Sequence, residues 1–185
     1  NKKTLAVFIT HAQGFNGLSN KLLEFLKHKS IPLIEDVCES HGAKYKRKKL
    51  GSYGLISNFS FYYAHHMSTI EGGMVCTNNY KIYQYLRMFR SHGMVRETKG
   101  HSIKKFFSKN PNKLNNDFIF ALAGYNLRNT EIGAVLGINQ LKKLNNNIKL
   151  RNLNHKIFLE NLDPKKYRTK YDLSGSSNYA FNLVL

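Results

Sequence analysis

LAVFITHAQGFNGLSNKLLEFLKHKSIPLIED, residues 5–36, carries the pattern that decides the fold. Leu5 to Thr10 is a short apolar run with the composition of a buried strand. Ser19 then offers an N-cap, and Leu22, Leu23 and Leu26 fall on one side of a helix reaching about Lys29. Ile31 to Glu35 reads as a second strand, with Pro32 near its start marking the turn into it. Strand, helix and strand at this spacing make a βαβ unit, and such a unit implies parallel pairing. The expected class is therefore α/β with a mostly parallel sheet.

Further along, Ser57 to Tyr62 and Gly73 to Thr77 suggest two more strands. Asn79 to about Arg90 reads as a helix with Ile82, Leu86 and Phe89 on one face. Residues 97–116 are polar and lysine-rich, with Gly100 and Pro111, and are expected to form a long surface excursion near a substrate entrance. From Thr130 a long helical pattern begins, with Ile132, Val135, Leu136, Ile138, Leu141, Leu144 and Ile148 at helical spacing. It continues past Leu153 and Phe158 and ends at Asp163-Pro164. Ser177 to Leu185 then reads as a fresh strand, the expected first strand of a second domain.

The 185 residues suffice for one domain with a sizeable core or for part of a larger one. The chain opens on Asn1 without a methionine and stops at Leu185 inside an apolar run, so both ends are expected to be internal to a longer protein. No secretory signal is visible, and no apolar run approaches bilayer-spanning length. The formal charge of +18 would suit a nucleic-acid or acidic-membrane partner. Its distribution argues otherwise. Lysines are scattered, densest between Lys44 and Lys49 and at Lys104, Lys105 and Lys109, and no expected helix carries a continuous basic stripe. Asn runs such as 145–147 point to a compositional drift towards Lys, Asn and Ile. Neither nucleic acid nor membrane is the expected partner, although positive potential suits a diphosphate. Cys38 and Cys76 lie far apart, which argues against a disulfide scaffold and a zinc site and suggests a reducing, cytoplasmic setting.

Four stretches hold the candidate functional residues: IEDVCESHGA (34–43), SFYYAHHMSTIEGGMV (60–75), RSHGMVRE (90–97) and GYNLRNTEIGAVLGINQLKKL (124–144). Asp36 stands just past the carboxyl end of an expected parallel strand, where open α/β sheets place their ligand crevice. Alone it is equally a cap or turn residue. Ser60 and Asn126, by composition, are turn residues. The His65-His66 pair in isolation is more often structural than catalytic. Metal binding is disfavoured because adjacent side chains diverge and no third ligand is suggested by spacing. Taken alone, His92 and Arg96 read as a solvated helix end.

In this order and spacing the four stretches resemble the DegT/DnrJ/StrS family of nucleotide-sugar aminotransferases, which use pyridoxal 5′-phosphate (PLP), and they cover most of residues 5–162. The resemblance implies aminotransferase fold type I, with helices on both faces of the sheet. Residues 1–150 would be part of the large cofactor-binding domain, and 151–185 a linking helix and the start of a small α+β domain. The family's amino-terminal third and carboxy-terminal end would lie outside this sequence. Asp36 is implied to pair with the pyridine nitrogen, keeping it protonated as an electron sink. Glu39 is implied to lie near the ring, and Ser60 to donate its hydroxyl to the phosphate. Asn126 is implied to reach the phosphate of the neighbouring subunit, which makes a homodimer with shared sites obligatory. Glu71-Gly72-Gly73 matches the family's tight turn, where glycine permits close approach or positive φ. His92 and Arg96 are implied to hold the carboxylate of an amino-acid cosubstrate or part of the sugar, a task that suits the guanidinium fork.

One position departs from the aminotransferase pattern. Five residues after the serine the family carries the lysine that binds PLP covalently, and here that position is His65. Histidine cannot form that bond, so the resemblance is to the sugar 3-dehydratase branch, with His66 a second, structural histidine. The cofactor would be held without a covalent link, its working form being pyridoxamine 5′-phosphate. His65, with an unperturbed pKa of about 6.5, would be the base in loss of the C3 hydroxyl from a nucleotide-linked 4-keto-6-deoxyhexose. Glutamate is the expected amine donor. A reductase-coupled subtype uses an iron–sulfur cluster whose cysteines would follow the cofactor motif, and no cysteine follows Cys76 in this sequence. The implied product serves dideoxysugar synthesis for cell-surface polysaccharide such as the O-antigen of lipopolysaccharide. A sugar aminotransferase with glutamate as donor, a catalytically silent dimer partner and a nucleic-acid-binding protein are the alternatives. Retention of Asp36, Ser60 and Asn126 argues against the silent partner. The nucleotide, GDP or CDP, is left open, and the 185 residues alone are expected to be inactive.

Overall fold

A computed structural model describes residues 3–100 and 115–185. They fall into two compact units: Asn1–Cys76 with Glu131–Leu185, and Thr77–Thr130. In the first unit, β1 (Val7–Thr10) lies parallel to β2 (Leu33–Asp36), and α1 (Asn20–His28) connects them. The helix starts where its cap dictates, the Ser19 hydroxyl accepting the Leu22 amide at 3.2 Å. Its Leu22, Leu23 and Leu26 pack on Val7, Ile9 and Leu33 in a core that also takes in Leu18, Val37, Ala43 and Leu50. Val7, Ile9, Leu22 and Leu23 are partly buried, whereas a fully buried aliphatic side chain such as Leu26 or Val37 contributes about 1.5–3 kcal/mol relative to exposure.

A two-residue hairpin, β3 (Lys44–Tyr45) with β4 (Lys48–Lys49), follows β2, in a lysine-rich stretch that offers no apolar alternation to announce it. Next, β5 (Ile56–Ser60) joins β2 in parallel, and β6 (Gly73–Cys76) pairs antiparallel with β5. The sheet order is β1-β2-β5-β6, so three parallel strands carry one antiparallel edge. The four strands expected between residues 5 and 77 are thus present. The expectation that Leu5 to Thr10 is buried is corrected: the strand begins at Val7, and Leu5 and Phe8 are 87% and 59% exposed. The cause is position, since β1 is an edge strand whose α1-facing side alone is well covered among the described residues.

A long helix, α3 (Glu131–Glu160), runs without interruption through residue 150. Its apolar repeat is real, but Ile132, Val135, Ile138 and Leu141 face outward, and Leu144, His155 and Leu159 are the large buried side chains. Residues 177–185 do not form the expected strand. Their backbone groups bond one at a time to scattered partners: Ser177 to Gly14, Tyr179 to Gln13, and Arg168 to the Val184 carbonyl. Aromatic packing of Phe181 on Phe158 and His155 holds this irregular segment in place of a ladder.

In the second unit, α2 (Tyr80–Phe89) is capped by Asn79, whose Oδ1 accepts the Ile82 amide at 3.0 Å. The helix matches expectation, while its buried face does not: Gln84 and Met88 are interior and Phe89 is exposed. Gln84 is tolerated there because its Oε1 accepts the Lys99 amide at 2.6 Å. The expected surface excursion at 97–116 lies mostly outside the described residues.

Candidate active site

Thr10, Asp36 and Asn58 stand in register across β1, β2 and β5, one row at the carboxyl ends of the three parallel strands. Asp36 Oδ1 accepts the Asn58 amide group and the Cys38 backbone N–H, both at 3.0 Å. Asp36 Oδ2 meets only a long 3.5 Å contact from the Thr10 hydroxyl, so this oxygen keeps capacity for a stronger donor. Asn58 also donates to Cys38 Sγ at 3.3 Å. Burial, reinforced by the Asp36 carboxylate, pushes the Cys38 thiol up to about 11, which makes it an inert neighbour.

Ser60 closes β5, and its Oγ accepts the Tyr62 amide at 3.3 Å, leaving the hydroxyl hydrogen to donate elsewhere. The loop from Phe61 to Gly72 then carries both histidines. His65 is half-buried; burial lowers its pKa, the negative charges of Glu39 and Asp36 pull it back up, and the net value is below the ordinary imidazole. Its neutral form therefore dominates at neutral pH. Its Nδ1 is buried without a hydrogen-bond partner among the described residues. Three rings surround it: Tyr179 at 5.3 Å, His41 at 5.8 Å and Tyr62 at 6.0 Å between centroids. Glu39 is fixed by the Gln13 backbone amide, which donates to its Oε2 at 2.7 Å.

His66 turns the other way. It is buried, and its Nε2 lies 3.0 Å from the carbonyls of both Ser177 and Asn178, so it donates to the carboxy-terminal segment. His41 lies beside it at 5.6 Å. Burial is the main force holding both imidazoles at about 4, aided by repulsion from His66 and His65 at His41 and from Arg151 at His66.

The second unit holds His92, Arg96 and Asn126. A bridge between Ser91 and Asn126 and the bond from the His92 amide to the Tyr125 carbonyl (2.7 Å) put His92 and Asn126 on adjoining backbone. His92 adopts φ +58°, a conformation that L-residues take at a cost. The turn is glycine-dependent: a Cβ on Gly93 would collide with the Leu122 carbonyl. The Arg96 guanidinium lies 5.3 Å over the Phe118 ring and 3.8 Å from the Glu97 carboxylate. Asn126 Oδ1 meets Arg128 Nε at 3.5 Å. Among the described residues no cluster of His, Cys, Asp and Glu is arranged to hold a metal ion, and no helix is long and apolar enough to cross a membrane.

Several participants escape the sequence reading. Thr10 and Asn58 reach Asp36 through strand register, and a polar residue at the carboxyl end of each apolar run is the signal that could have found them. Gln13, His41 and Tyr179 arrive by tertiary approach, which leaves no local signal. Glu35, next to Asp36, is completely buried and bonded by four donors: His11 Nε2 (3.2 Å) and the amides of Gly51, Tyr53 and Gly54 (2.5–2.8 Å). Burial alone would raise its pKa, but the bonds from His11 and these amides outweigh that and hold the carboxyl below its ordinary value. The Gly17 amide donates to His11 Nδ1, which puts the imidazole proton on Nε2, facing Glu35.

The donor set fits the cofactor inferred from the sequence. An acid with an uncommitted oxygen suits a pyridinium N–H, a strand-end hydroxyl suits a phosphate, and no lysine replaces His65. Such a row at the carboxyl ends of a mostly parallel sheet is where an α/β protein binds its ligand, and the likeness to solved aminotransferase-family enzymes makes the fold aminotransferase fold type I. Residues 1–184 match the DegT/DnrJ/EryC1/StrS aminotransferase family. The chain belongs to that family. It is 34% identical over its full length to GDP-4-keto-6-deoxy-D-mannose 3-dehydratase of Yersinia pseudotuberculosis, covering 47% of that protein. The Escherichia coli GDP-4-keto-6-deoxy-D-mannose-3-dehydratase with bound hydrated PLP superposes with a TM-score of 0.84 at 31% identity, over 99% of this chain and 46% of that one. A GDP-4-keto-6-deoxymannose-3-dehydratase with a trapped PLP-glutamate geminal diamine gives 0.79 at 29% identity, over 97% and 46%. The chain thus spans about half the length of the relatives it matches.

Proposed function

We propose that the whole protein is a PLP- and pyridoxamine-phosphate-dependent 3-dehydratase of a nucleotide-linked 4-keto-6-deoxyhexose. The observation that carries this reading is His65: an imidazole stands in the lysine slot, kept neutral by burial beside the acids Asp36 and Glu39. The substrate is a GDP sugar by likeness to the GDP-sugar dehydratases, and glutamate is the amine donor by likeness to the trapped glutamate adduct. The product serves dideoxysugar synthesis for cell-surface polysaccharide, in the cytoplasm.

Asp36 would hold the pyridine nitrogen, Ser60 the phosphate, and Glu39 would border the ring. Asn126 would reach the phosphate in a neighbouring subunit, so that the working form is a homodimer. The outward apolar residues of α3 are available for such packing or for parts of the protein beyond this chain. Arg96, with His92, would bind the carboxylate of glutamate or part of the sugar. Residues 1–150 would belong to the large domain, with 151–185 leading into the small one. When bound, the amine form of the cofactor would stabilise the electron pair left by proton removal and so make it available to expel the C3 oxygen. His65 accepts a proton on its imidazole and returns it to the departing hydroxyl, which leaves as water. Lysine at this position would capture the cofactor covalently and favour amine transfer.

The test uses the complete protein with PLP, glutamate and a GDP-linked 4-keto-6-deoxyhexose, with mass spectrometry of the product. Loss of the C3 oxygen, abolished in His65→Lys, is the expected result. A product with a C4 amine and its oxygen retained would make the protein an aminotransferase.

A further inference from the structure

We propose that Tyr179 is the positioning residue for His65, its ring forming the wall that fixes the orientation of the imidazole. The proposal rests on His65 being the base. An imidazole is usually oriented by a hydrogen bond to the nitrogen that does not react, commonly from Nδ1 to a carbonyl or carboxylate. Among the described residues His65 has no such bond, its Nδ1 being buried without a partner. Ring packing must set its direction instead. Of its three ring neighbours, Tyr179 is nearest, at 5.3 Å and an interplanar angle of 39°. Tyr62 belongs to the same loop as His65 and is 37% exposed, so it moves with the loop rather than restraining it.

Tyr179 is suited to the task because its own backbone is held at both ends of the residue. Its N–H donates to the Gln13 carbonyl at 3.2 Å, and its carbonyl accepts Arg151 at 3.0 Å. One residue earlier, the Asn178 amide is held by Asn152 Oδ1 at 2.8 Å. The approach admits no slack at Gly14, where a Cβ would collide with the Ser177 carbonyl while φ stands at +87°. Gln13 is the link to the acids of the site. The same residue that receives Tyr179 on its carbonyl donates its amide to Glu39. One turn therefore sets both the acid beside His65 and the ring against it.

The experiment compares Tyr179→Leu, which removes the ring, with Tyr179→Phe, which keeps it, in the complete protein. Histidine-selective ¹³C and ¹⁵N NMR reads the His65 ring resonances, assigned by their loss in His65→Asn, and kinetics reads kcat and KM. Tyr179→Leu is expected to move the His65 resonances and lower kcat by about 10- to 100-fold with KM for the sugar little changed, the cost of a misplaced group. Tyr179→Phe is expected to return both readouts towards those of the parent. An unmoved His65 resonance in Tyr179→Leu, or a Tyr179→Phe variant as impaired as Tyr179→Leu, would overturn the proposal. The two ideas fail separately. Full turnover by His65→Asn would remove the base, whereas an unmoved resonance in Tyr179→Leu would remove the wall and leave the base standing.

Discussion

Glu35 and Asp36 are consecutive acids on β2, and strand geometry sends them to opposite faces of the sheet. On one face Glu35 is sealed: it is completely buried, and its two oxygens accept four hydrogen bonds. On the other, Asp36 is half-buried, with one oxygen saturated and the other holding a single long contact. The sealed acid gathers the turn at residues 51–54 under the sheet. The open acid keeps an acceptor in reserve for a ligand. Identical chemistry at adjacent positions thus separates into a satisfied scaffold acid and an acid open enough for the site role proposed for it.

Mutation should break that contrast in opposite ways. Glu35→Ala strands His11 and three backbone amides in the interior, and unfolding of the complete protein in urea should show a loss of about 3–5 kcal/mol. A loss below about 1 kcal/mol would mean that water or neighbours replace the carboxylate, and the sealed side is not sealed. Asp36→Asn should leave the urea midpoint nearly unchanged while turnover falls by about 100-fold, the scale of losing one preorganised electrostatic group. A large stability loss instead would place Asp36 with the scaffold.

Acid sharpens the same distinction on a smaller scale. His41 and His66 are held at about 4 when folded, against an ordinary imidazole pKa of 6.5. The unfolded chain therefore takes up protons first as pH falls. Their contribution is complete above about 6.5 and is lost towards 4, so unfolding free energy should drop on the order of 2 kcal/mol for each imidazole, about 4 kcal/mol for the pair, from about pH 7.5 to about pH 5. His41→Leu should flatten that slope. Glu35, depressed in the fold, adds its own loss only below its ordinary value of 4.5. A stability profile level across this range would show that the buried imidazoles take up protons without resistance.

Much of the scaffold was legible because it is local. Ser19 and Asn79 cap helices within three residues of themselves, and the apolar runs at 7–10 and 33–36 are strands wherever they sit. What escaped depends on neighbours. Phe8 is exposed because β1 lies at an edge, the hairpin at 44–49 offers only Tyr45 to the core, and residues 177–185 are shaped by Gly14, Gln13 and Asn152 rather than by their own alternation. In the site, Asp36, Ser60 and His65 came from motif resemblance, since nothing in their local composition separates them from turn residues. Thr10 and Asn58 required the register, and Tyr179 required the fold.

The bond from His66 to the carbonyls of Ser177 and Asn178 spans 111 and 112 positions along the chain. Synthesis from the amino terminus lays down the row of Thr10, Asp36 and Asn58 long before its far partner exists. Contacts this distant in sequence close late and slowly, because the loop entropy must be overcome first. A nascent chain that has passed residue 76 holds β1, β2, β5 and β6 yet leaves the histidine loop without the Tyr179 ring. Closure of the histidine loop is thereby expected to wait for residues 177–179, and a truncation ahead of them should leave His65 without the Tyr179 ring and His66 without its carbonyl partners.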